Sequence, residues 1–211
     1  MNSAPTLQSI YSFFEKGGPF MVLLVLLSII SLTAMLLRMW RLRESTIIPR
    51  QITDAVEDLK PGDTLEKLFE EMDDRPSAIS RILRTLLNHL NWSKSENLEA
   101  VQTTARHEVA RMEKGLVILE IATGAGPLLG LLGTLSGLVS IFAELGGSGD
   151  PMIVARGIAE ALNTTIVGLI VAVPSLTAHS YFTRRIEMMA VQMESTAADL
   201  LAKLYQPQSD R

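Results

Sequence analysis

The sequence predicts an all-α integral membrane protein with three transmembrane helices, an outer N-terminus and long helices that extend into the cytoplasm. Asp, Glu, Lys and Arg are absent from residues 17–37, 121–143 and 161–183, which are gaps of about 21, 23 and 23 residues, and about 20 apolar residues span a bilayer core. In addition, 47% of the 211 residues are hydrophobic. Three such stretches are very hard to bury in a soluble chain of this length.

The positions of Lys and Arg predict the orientation in the membrane. Basic residues follow span one, precede span two and follow span three, and these positions share one side of a membrane that is crossed three times. They are Arg38, Arg41, Arg43, Arg50, Arg106, Arg111, Lys114, Arg184 and Arg185. Only Lys16 and Arg156 are left near the other side. The positive-inside rule therefore predicts an outer N-terminus and a cytoplasmic C-terminus.

Seven segments follow from this arrangement. They are an outer amphipathic segment (1–16), transmembrane helix 1 (17–37), a cytoplasmic helical segment (38–114), transmembrane helix 2 (115–143), an outer loop (144–152), transmembrane helix 3 (153–183) and a cytoplasmic helical tail (184–211). The first hydrophobic stretch is a poor signal peptide, because the residues before it are nearly neutral and basic residues follow it. We expect it to be retained.

The composition excludes several functional classes. Cysteine is absent, so the chain has no disulfide framework, thiolate nucleophile or cysteine-ligated metal site. The net charge of −4 gives no indication of nucleic-acid binding. The acidic run EEMDDR lacks the spacing of a calcium loop and predicts a solvated helix face. No catalytic residue, metal site or cofactor is predicted.

Two amphipathic helices are predicted within residues 38–114. Their apolar faces are Leu65, Leu68, Phe69 and Met72 in the first, and Ile79, Ile82, Leu83, Leu86, Leu87 and Leu90 in the second. Asp63 with Glu66 predicts a capping box, and Pro76 fits a helix start. Ser95 with Glu96 predicts the start of a third helix that continues into span two. In the tail, an apolar stripe is predicted at Ile186, Met189, Met193, Ala197 and Leu200.

Small residues recur along spans two and three. Span two carries Gly126, Gly130, Gly133 and Gly137, and such spacing lets helices approach closely in a membrane. Span three carries a small and polar stripe of Gly157, Glu160, Thr164, Gly168, Ala172, Ser175 and His179. Its opposite side is apolar, at Leu162, Ile166, Leu169, Ile170, Val173 and Leu176. Pro127 and Pro174 remove helix hydrogen bonds and predict kinks.

The polar residues of these spans have two interpretations. They can stabilise helix packing, with Ser and Thr bonded to carbonyls of their own helix, or they can line a wet ion path. Glu160 favours the second interpretation, because an acid at the edge of a span needs a partner, water or a proton. No titratable residue lies in the middle of a span, and hydroxyls such as Thr134 do not hold a charge near pH 7. If protons cross here, the acid that carries them belongs to another chain.

The stretches GPLLGLLGTLSGLVSIF and GIAEALNTTIVGLIVAVPSL resemble the MotA/TolQ/ExbB proton channel family, and ExbB and TolQ most closely. The resemblance is specific over about residues 122–185. It implies a subunit of an inner-membrane motor driven by protons, multi-pass in the bacterial inner membrane. By this resemblance, ExbB-like subunits form a homopentamer around ExbD-like single-span partners, whose membrane aspartate carries the proton, and the complex energises a TonB-like protein for uptake across the outer membrane.

The resemblance also assigns residues. The pore threonines of the family correspond to Thr134 and Thr165, and the family glutamate corresponds to Glu160. Thr164 and Asn163 replace the more apolar residues common in the family. Our helix-face analysis places Thr164, rather than Thr165, on the stripe of Glu160, because five residues turn a helix by about 140°. Thr134, Thr165, Glu160 and Thr164 are the candidate pore-lining residues.

Three alternatives stay open at this point. A TolQ-like subunit of the Tol-Pal envelope system shares the motifs. A membrane scaffold that conducts no ions shares the small-residue stripes. An intramembrane enzyme is the weakest, because Ser175 and His179 lie one helical turn apart without a second motif for an oxyanion hole or a metal.

Overall fold

The computed structural model describes residues 18–60, 64–144 and 151–205, and within these ranges the regular structure is helical, with no strand. In chain order the helices are α1 (Gly18–Arg41), α2 (Glu44–Ile47), α3 (Arg50–Asp58), α4 (Glu66–Asp74), α5 (Ala78–Asn88), α6 (Lys94–Glu113), α7 (Leu116–Glu144) and α8 (Pro151–Leu204). The all-α prediction is confirmed. The predicted outer segment at residues 1–16 lies outside the described residues.

Among the described residues, three helices are long and apolar enough to cross a membrane, as the sequence predicts. The candidate spans are Gly18–Arg41, Leu116–Ala143 and Val154–Leu204. α7 runs through Pro127 and α8 through Pro174 without a break, so the predicted kinks stay predictions about the direction of the helix axis. Which side of the membrane each end occupies also stays a prediction.

The described chain divides into two compact units. The first, the span unit, contains the described parts of Met1–Leu37 and Gly115–Ser180. The second, the helical unit, contains the described parts of Arg38–Lys114 and Tyr181–Arg211. α8 contributes its first part to the span unit and its last part to the helical unit.

Within the span unit, α7 and α8 form an antiparallel pair with very close backbones. A methyl group built on Gly126 would lie 2.9 Å from the Gly168 carbonyl oxygen, and one built on Gly137 would lie 2.9 Å from Ala161 Cβ. Further along, Gly157 faces Ile141. Close contact therefore extends over most of the pair, and the small residues of span two lie in it, as expected for helices that approach closely in a membrane.

Helix α1 packs on this pair through one narrow face and leaves the rest open. Its buried residues are Met21, Leu24, Ser31 and Ala34, whose spacings of three, seven and three positions place them on one face of a helix. The Ser31 hydroxyl lies 2.6 Å from that of Ser175, and Ser175 donates to the Val171 carbonyl at 2.7 Å. Because the Ser175 proton is used for the Val171 carbonyl, Ser31 donates across helices to Ser175.

The helical unit has a core that the sequence pattern located well. On α5 the buried side chains are Ile79, Ile82, Leu83, Leu86 and Leu87. On α8 they include Ile186, Met189, Met193, Ala197 and Leu200, each at most 3% exposed, so the predicted stripe is confirmed. Leu68 and Met72 on α4 are buried as well, whereas Phe69 and Leu90 of the predicted faces are exposed. The acids of EEMDDR lie at least partly in solvent, as predicted.

Two predictions about helix ends are wrong. The N-cap of α6 is Ser93 rather than Ser95, and Ser93 and Glu96 form a complete capping box, which lowers the pKa of Glu96 through hydrogen bonds from Ser93. The third helix also does not run on into span two. It ends at Glu113, and Gly115 takes φ +98°, a conformation that favours glycine. The predicted cap Asp63 lies outside the described residues, and α2 and α3 were not predicted.

Substituting Gly168 tests the close approach of α7 and α8. Its Cβ would lie 2.5 Å from the Gly126 carbonyl oxygen and 3.1 Å from Gly130 Cα, so Gly168→Ala must separate two backbones. We expect a loss of about 1–3 kcal/mol of unfolding free energy, as for other overpacked sites, measured by denaturant titration in detergent.

Gly124→Ala is the matched control. Gly124 lies on α7, and nothing lies within 4 Å of a Cβ built there, so this variant should unfold like the wild type or be slightly more stable. Equal stability of Gly168→Ala and Gly124→Ala would contradict the close packing.

Candidate functional site

The hydroxyls of Thr134 and Thr165 meet across the α7–α8 pair. Gly130 allows the meeting, because a methyl group built on it would lie 3.0 Å from both the Thr164 carbonyl oxygen and Thr165 Cα. One turn later on α7, Thr134 faces Thr165 and forms a direct hydroxyl–hydroxyl hydrogen bond with it. Thr134 is 8% exposed, and Thr165 is partly exposed. Two residues that are 31 positions apart in the chain therefore form one polar centre.

This centre offers more acceptors than protons. The Thr134 Oγ1 lies 3.1 Å from the carbonyl oxygens of both Gly130 and Ala161, and the Thr165 Oγ1 lies 3.1 Å from that of Gly130. Each hydroxyl has one proton to donate, and one of the two must lie between the hydroxyls. One proton is then left for two carbonyls. The centre can consequently accept a hydrogen bond from a water or from a protonated acid.

Other hydroxyls of the spans behave as the packing interpretation predicts. Thr123 donates to the Leu119 carbonyl at 2.8 Å, and Ser140 donates to the Ser136 carbonyl at 3.1 Å. Bonds of this kind, four residues back along the same helix, satisfy the hydroxyl without a neighbour. Thr165 is different because it bonds to the Thr134 hydroxyl and the Gly130 carbonyl, which both lie on α7. The cross-helix bonds therefore distinguish the threonine centre from ordinary Ser and Thr in membrane helices.

Thr164 and Glu160 occupy different surroundings from Thr165. Thr164 is 1% exposed, and its methyl group fills the space beside Gly133, so within this chain it packs the helix pair. Glu160 lies about one turn nearer the start of α8, where its Oε1 is 3.6 Å from Nε of Arg156 and its side chain is 35% exposed. That Glu160 and Thr165 have different neighbours agrees with the helix-face analysis.

The arrangement does not resemble an enzyme site. Ser175 is buried, and its hydroxyl already bonds to Val171 and Ser31, so it is not poised as a nucleophile beside His179. Among the described residues, no group of three or more His, Asp or Glu side chains could hold a metal ion. The sequence places no acid or base on α7 or α8 between residues 121 and 143 or between 161 and 178. The two hydroxyls of the centre can therefore exchange hydrogen bonds, but neither side chain titrates near neutral pH.

Sequence reasoning missed two parts of this region. The Ala161 carbonyl belongs to the backbone, and no residue type signals that a backbone acceptor will face a neighbouring helix. Ser31 lies 144 positions from Ser175, and the same span also carries Ser28 and Thr33, so residue type alone does not indicate which of them bonds to another helix.

Comparison with known proteins identifies the class. The profile of the MotA/TolQ/ExbB proton channel family matches residues 74–195, a range that includes α5, α6, α7 and most of α8. The chain belongs to this family, and it is accordingly a membrane protein of a proton-channel class.

Named relatives extend the similarity to most of the chain. A putative biopolymer transport protein, ExbB-like 1, of Synechocystis is 35% identical over 88% of this chain and 74% of its own length. A putative ExbB homologue of Methanothermobacter thermautotrophicus is 33% identical over 85% of this chain and 64% of its own length. The biopolymer transport protein ExbB of Neisseria meningitidis serogroup A is 27% identical over 90% of this chain and 94% of its own length.

Removing either hydroxyl tests the threonine centre as a coupled unit. We expect Thr134→Val and Thr165→Val each to cost about 0.5–1.5 kcal/mol of unfolding free energy. The double variant should cost clearly less than the sum of the two, because each single change removes the same bond. Denaturant titration of the four proteins in detergent measures the coupling.

Thr134→Val combined with Thr123→Val provides the reference cycle. Thr123 bonds within its own helix, so these two changes should add within about 0.5 kcal/mol. Additivity in the Thr134–Thr165 cycle as well would show that the hydroxyls do not interact.

Proposed function

We propose that the chain is an ExbB-like subunit of a proton-driven motor in the bacterial inner membrane. The single observation that carries the proposal is the acceptor-rich hydroxyl centre of Thr134 and Thr165, set in helices whose middle parts contain no acid or base. Such a centre can guide a proton carrier but cannot be one. Membership of a proton channel family supports this proposal.

The partner we propose is an ExbD-like single-span protein that supplies a membrane aspartate. In hydrocarbon the neutral form of a carboxyl group is strongly favoured. The aspartate therefore moves past the apolar part of the ring with its proton attached. Its O–H can donate to Thr165, the more exposed hydroxyl of the centre. The proton stays on the carboxyl group while that group is next to the threonine centre, because a threonine hydroxyl is far too weak a base to hold the proton near pH 7.

The proposed assembly is a homopentamer around this partner. α7 and α8 expose broad apolar faces in the single chain, including Leu128, Leu131, Leu135 and Val139 on α7 and Leu162, Ile166, Ile170 and Val173 on α8. Exposed apolar surface of this extent suits lipid and neighbouring subunits. The glycines lie between α7 and α8, and the apolar residues lie on the exposed faces of the pair. This arrangement supports a ring of helix pairs that remains intact while the partner turns.

Glu160 and Arg156 define the entrance in this proposal. With the orientation predicted from Lys and Arg, they lie toward the outer side, ahead of the threonine centre. Protons enter there, neutralise the aspartate and leave on the cytoplasmic side. The motor energises a TonB-like protein for uptake across the outer membrane. The relatives named as biopolymer transport proteins favour this client over the Tol-Pal system.

Thr165→Val tests the role of the hydroxyl in transport. The change conserves the shape of the side chain, so we expect the complex with the partner to assemble as in the wild type while transport driven by it is abolished. Growth that depends on TonB-driven uptake and co-purification of the partner measure the two outcomes separately.

Thr177→Val serves as the control on the same helix. Thr177 donates to its own Val173 carbonyl at 3.0 Å, so its loss should leave transport unchanged. Full activity of Thr165→Val would refute the role proposed for the threonine.

Glu160→Gln separates charge from hydrogen bonding at the entrance. The amide keeps the size and one acceptor oxygen, replaces the other oxygen with an NH2 donor, and removes the negative charge beside Arg156. We expect a transport rate at least about tenfold lower, since a proton at the entrance is stabilised by charge. Wild-type transport would assign Glu160 to subunit packing.

A further inference from the structure

The helical unit contains a cavity with a strong excess of positive charge. It has a volume of about 290 Å³, and its charged lining residues are Arg38, Arg41, Arg81, Arg111, Lys114 and Glu108. Five basic side chains against one acid leave a formal net charge of +4. The volume is close to the lower end of the roughly 300–1,000 Å³ found for small-molecule sites.

Glu108 neutralises only part of this charge. It is buried, and it accepts hydrogen bonds from Arg81 Nε at 2.8 Å, Arg81 Nη2 at 2.5 Å and Arg111 Nη1 at 3.0 Å. The contact raises the pKa of the Arg81 guanidinium, with the hydrogen bond to Glu108 as the largest cause. Glu108 therefore holds the guanidinium groups of Arg81 and Arg111 in the wall of the cavity, and these two groups neutralise its negative charge.

The remaining cations of the cavity form no ion pair with any acid in the part of the chain that the structure describes. Arg38 donates to the Met112 carbonyl at 3.0 Å, a bond that holds its guanidinium in place without cancelling its charge. Arg41 and Lys114 are exposed and form no ion pair with the acids that the structure describes. Like charges gathered round a cavity repel one another, so an anionic occupant would stabilise the arrangement.

Chain connectivity places the cavity at the membrane boundary. Arg38 and Arg41 lie in the last turn of α1, the first candidate span, and Lys114 lies two residues before the start of α7, the second. Both chain crossings therefore end at the same membrane face, whichever side it is. Trp40 is 75% exposed, and exposed tryptophans of this kind are enriched at the level of the lipid headgroups.

We propose that this cavity binds the phosphate headgroup of an anionic phospholipid, with Arg41 and Lys114 as its direct cationic partners. A lipid fits better than a free phosphate, because its acyl chains remain in the bilayer while its headgroup reaches a site at the boundary. Basic pockets near span ends are a known mode of recognition for anionic headgroups. The site would tie the helical segment to the membrane independently of the proposed ion path.

Lipid retention by the full chain tests the proposal. The purified protein is reconstituted into nanodiscs of phosphatidylcholine with about 20% phosphatidylglycerol, which gives the bilayer surface a moderate negative charge. The lipids bound to the protein are then counted by native mass spectrometry. We expect the wild type to retain phosphatidylglycerol selectively. Arg41→Gln with Lys114→Gln should weaken retention about 30-fold, because each cation near a membrane surface contributes about a factor of five.

Two further variants make the result specific. Arg43→Gln with Arg106→Gln removes the same charge from residues outside the cavity lining and should retain the lipid as the wild type does. Arg41→Lys with Lys114→Arg keeps the charge and should retain most of the binding. Circular dichroism melting of each variant shows whether it is folded.

Three outcomes would overturn the proposal. Equal loss in the Arg43 and Arg106 variant would show general attraction to the surface. Equal retention of phosphatidylcholine and phosphatidylglycerol by the wild type would exclude an anionic lipid as the occupant of the cavity, leaving an acidic protein segment as the candidate. If inorganic phosphate binds as tightly as a short-chain phosphatidylglycerol, the site recognises a free ion instead.

Discussion

The close approach of α7 and α8 is the constraint on which the span unit depends. Apolar burial contributes little free energy to helix association within lipid. The contact therefore depends on close van der Waals packing, which the glycines allow. Gly126, Gly130 and Gly168 bring the two backbones to distances at which one added methyl group would collide with a carbonyl. That spacing lets two short side chains, Thr134 and Thr165, bond directly across the pair.

The same geometry gives the centre its chemical character. Two hydroxyls share the carbonyls of Gly130 and Ala161, and their protons are too few for the acceptors. A group that donates a proton of its own in a hydrogen bond is therefore favoured. An anion is disfavoured, because it would face acceptor oxygen atoms. This asymmetry is the physical basis of the proposed role of the threonines, in which the residue that titrates belongs to another chain.

Patterns of residue type predicted the fold where a single face or a single charge gap decides the structure. The three spans follow from the gaps in charge, and the buried stripe from Ile186 to Leu200 and the glycine face of α7 follow from periodicity. Helix ends were less predictable, because Ser93 and Ser95 are equivalent caps by composition, and because a glycine such as Gly115 can continue a helix or end it. The pairing of Thr134 with Thr165 depends on the relative register of two helices, which residue types alone do not determine.

The claim that this chain guides protons without carrying them is tested most directly by flux through the chain alone. The purified protein is reconstituted into liposomes without its partner, a pH gradient and a membrane potential are imposed, and the internal pH is followed by a trapped fluorescent dye. The account predicts proton flux no greater than that of empty liposomes. Flux that requires this chain alone, and that is lost in Thr165→Val, would contradict it.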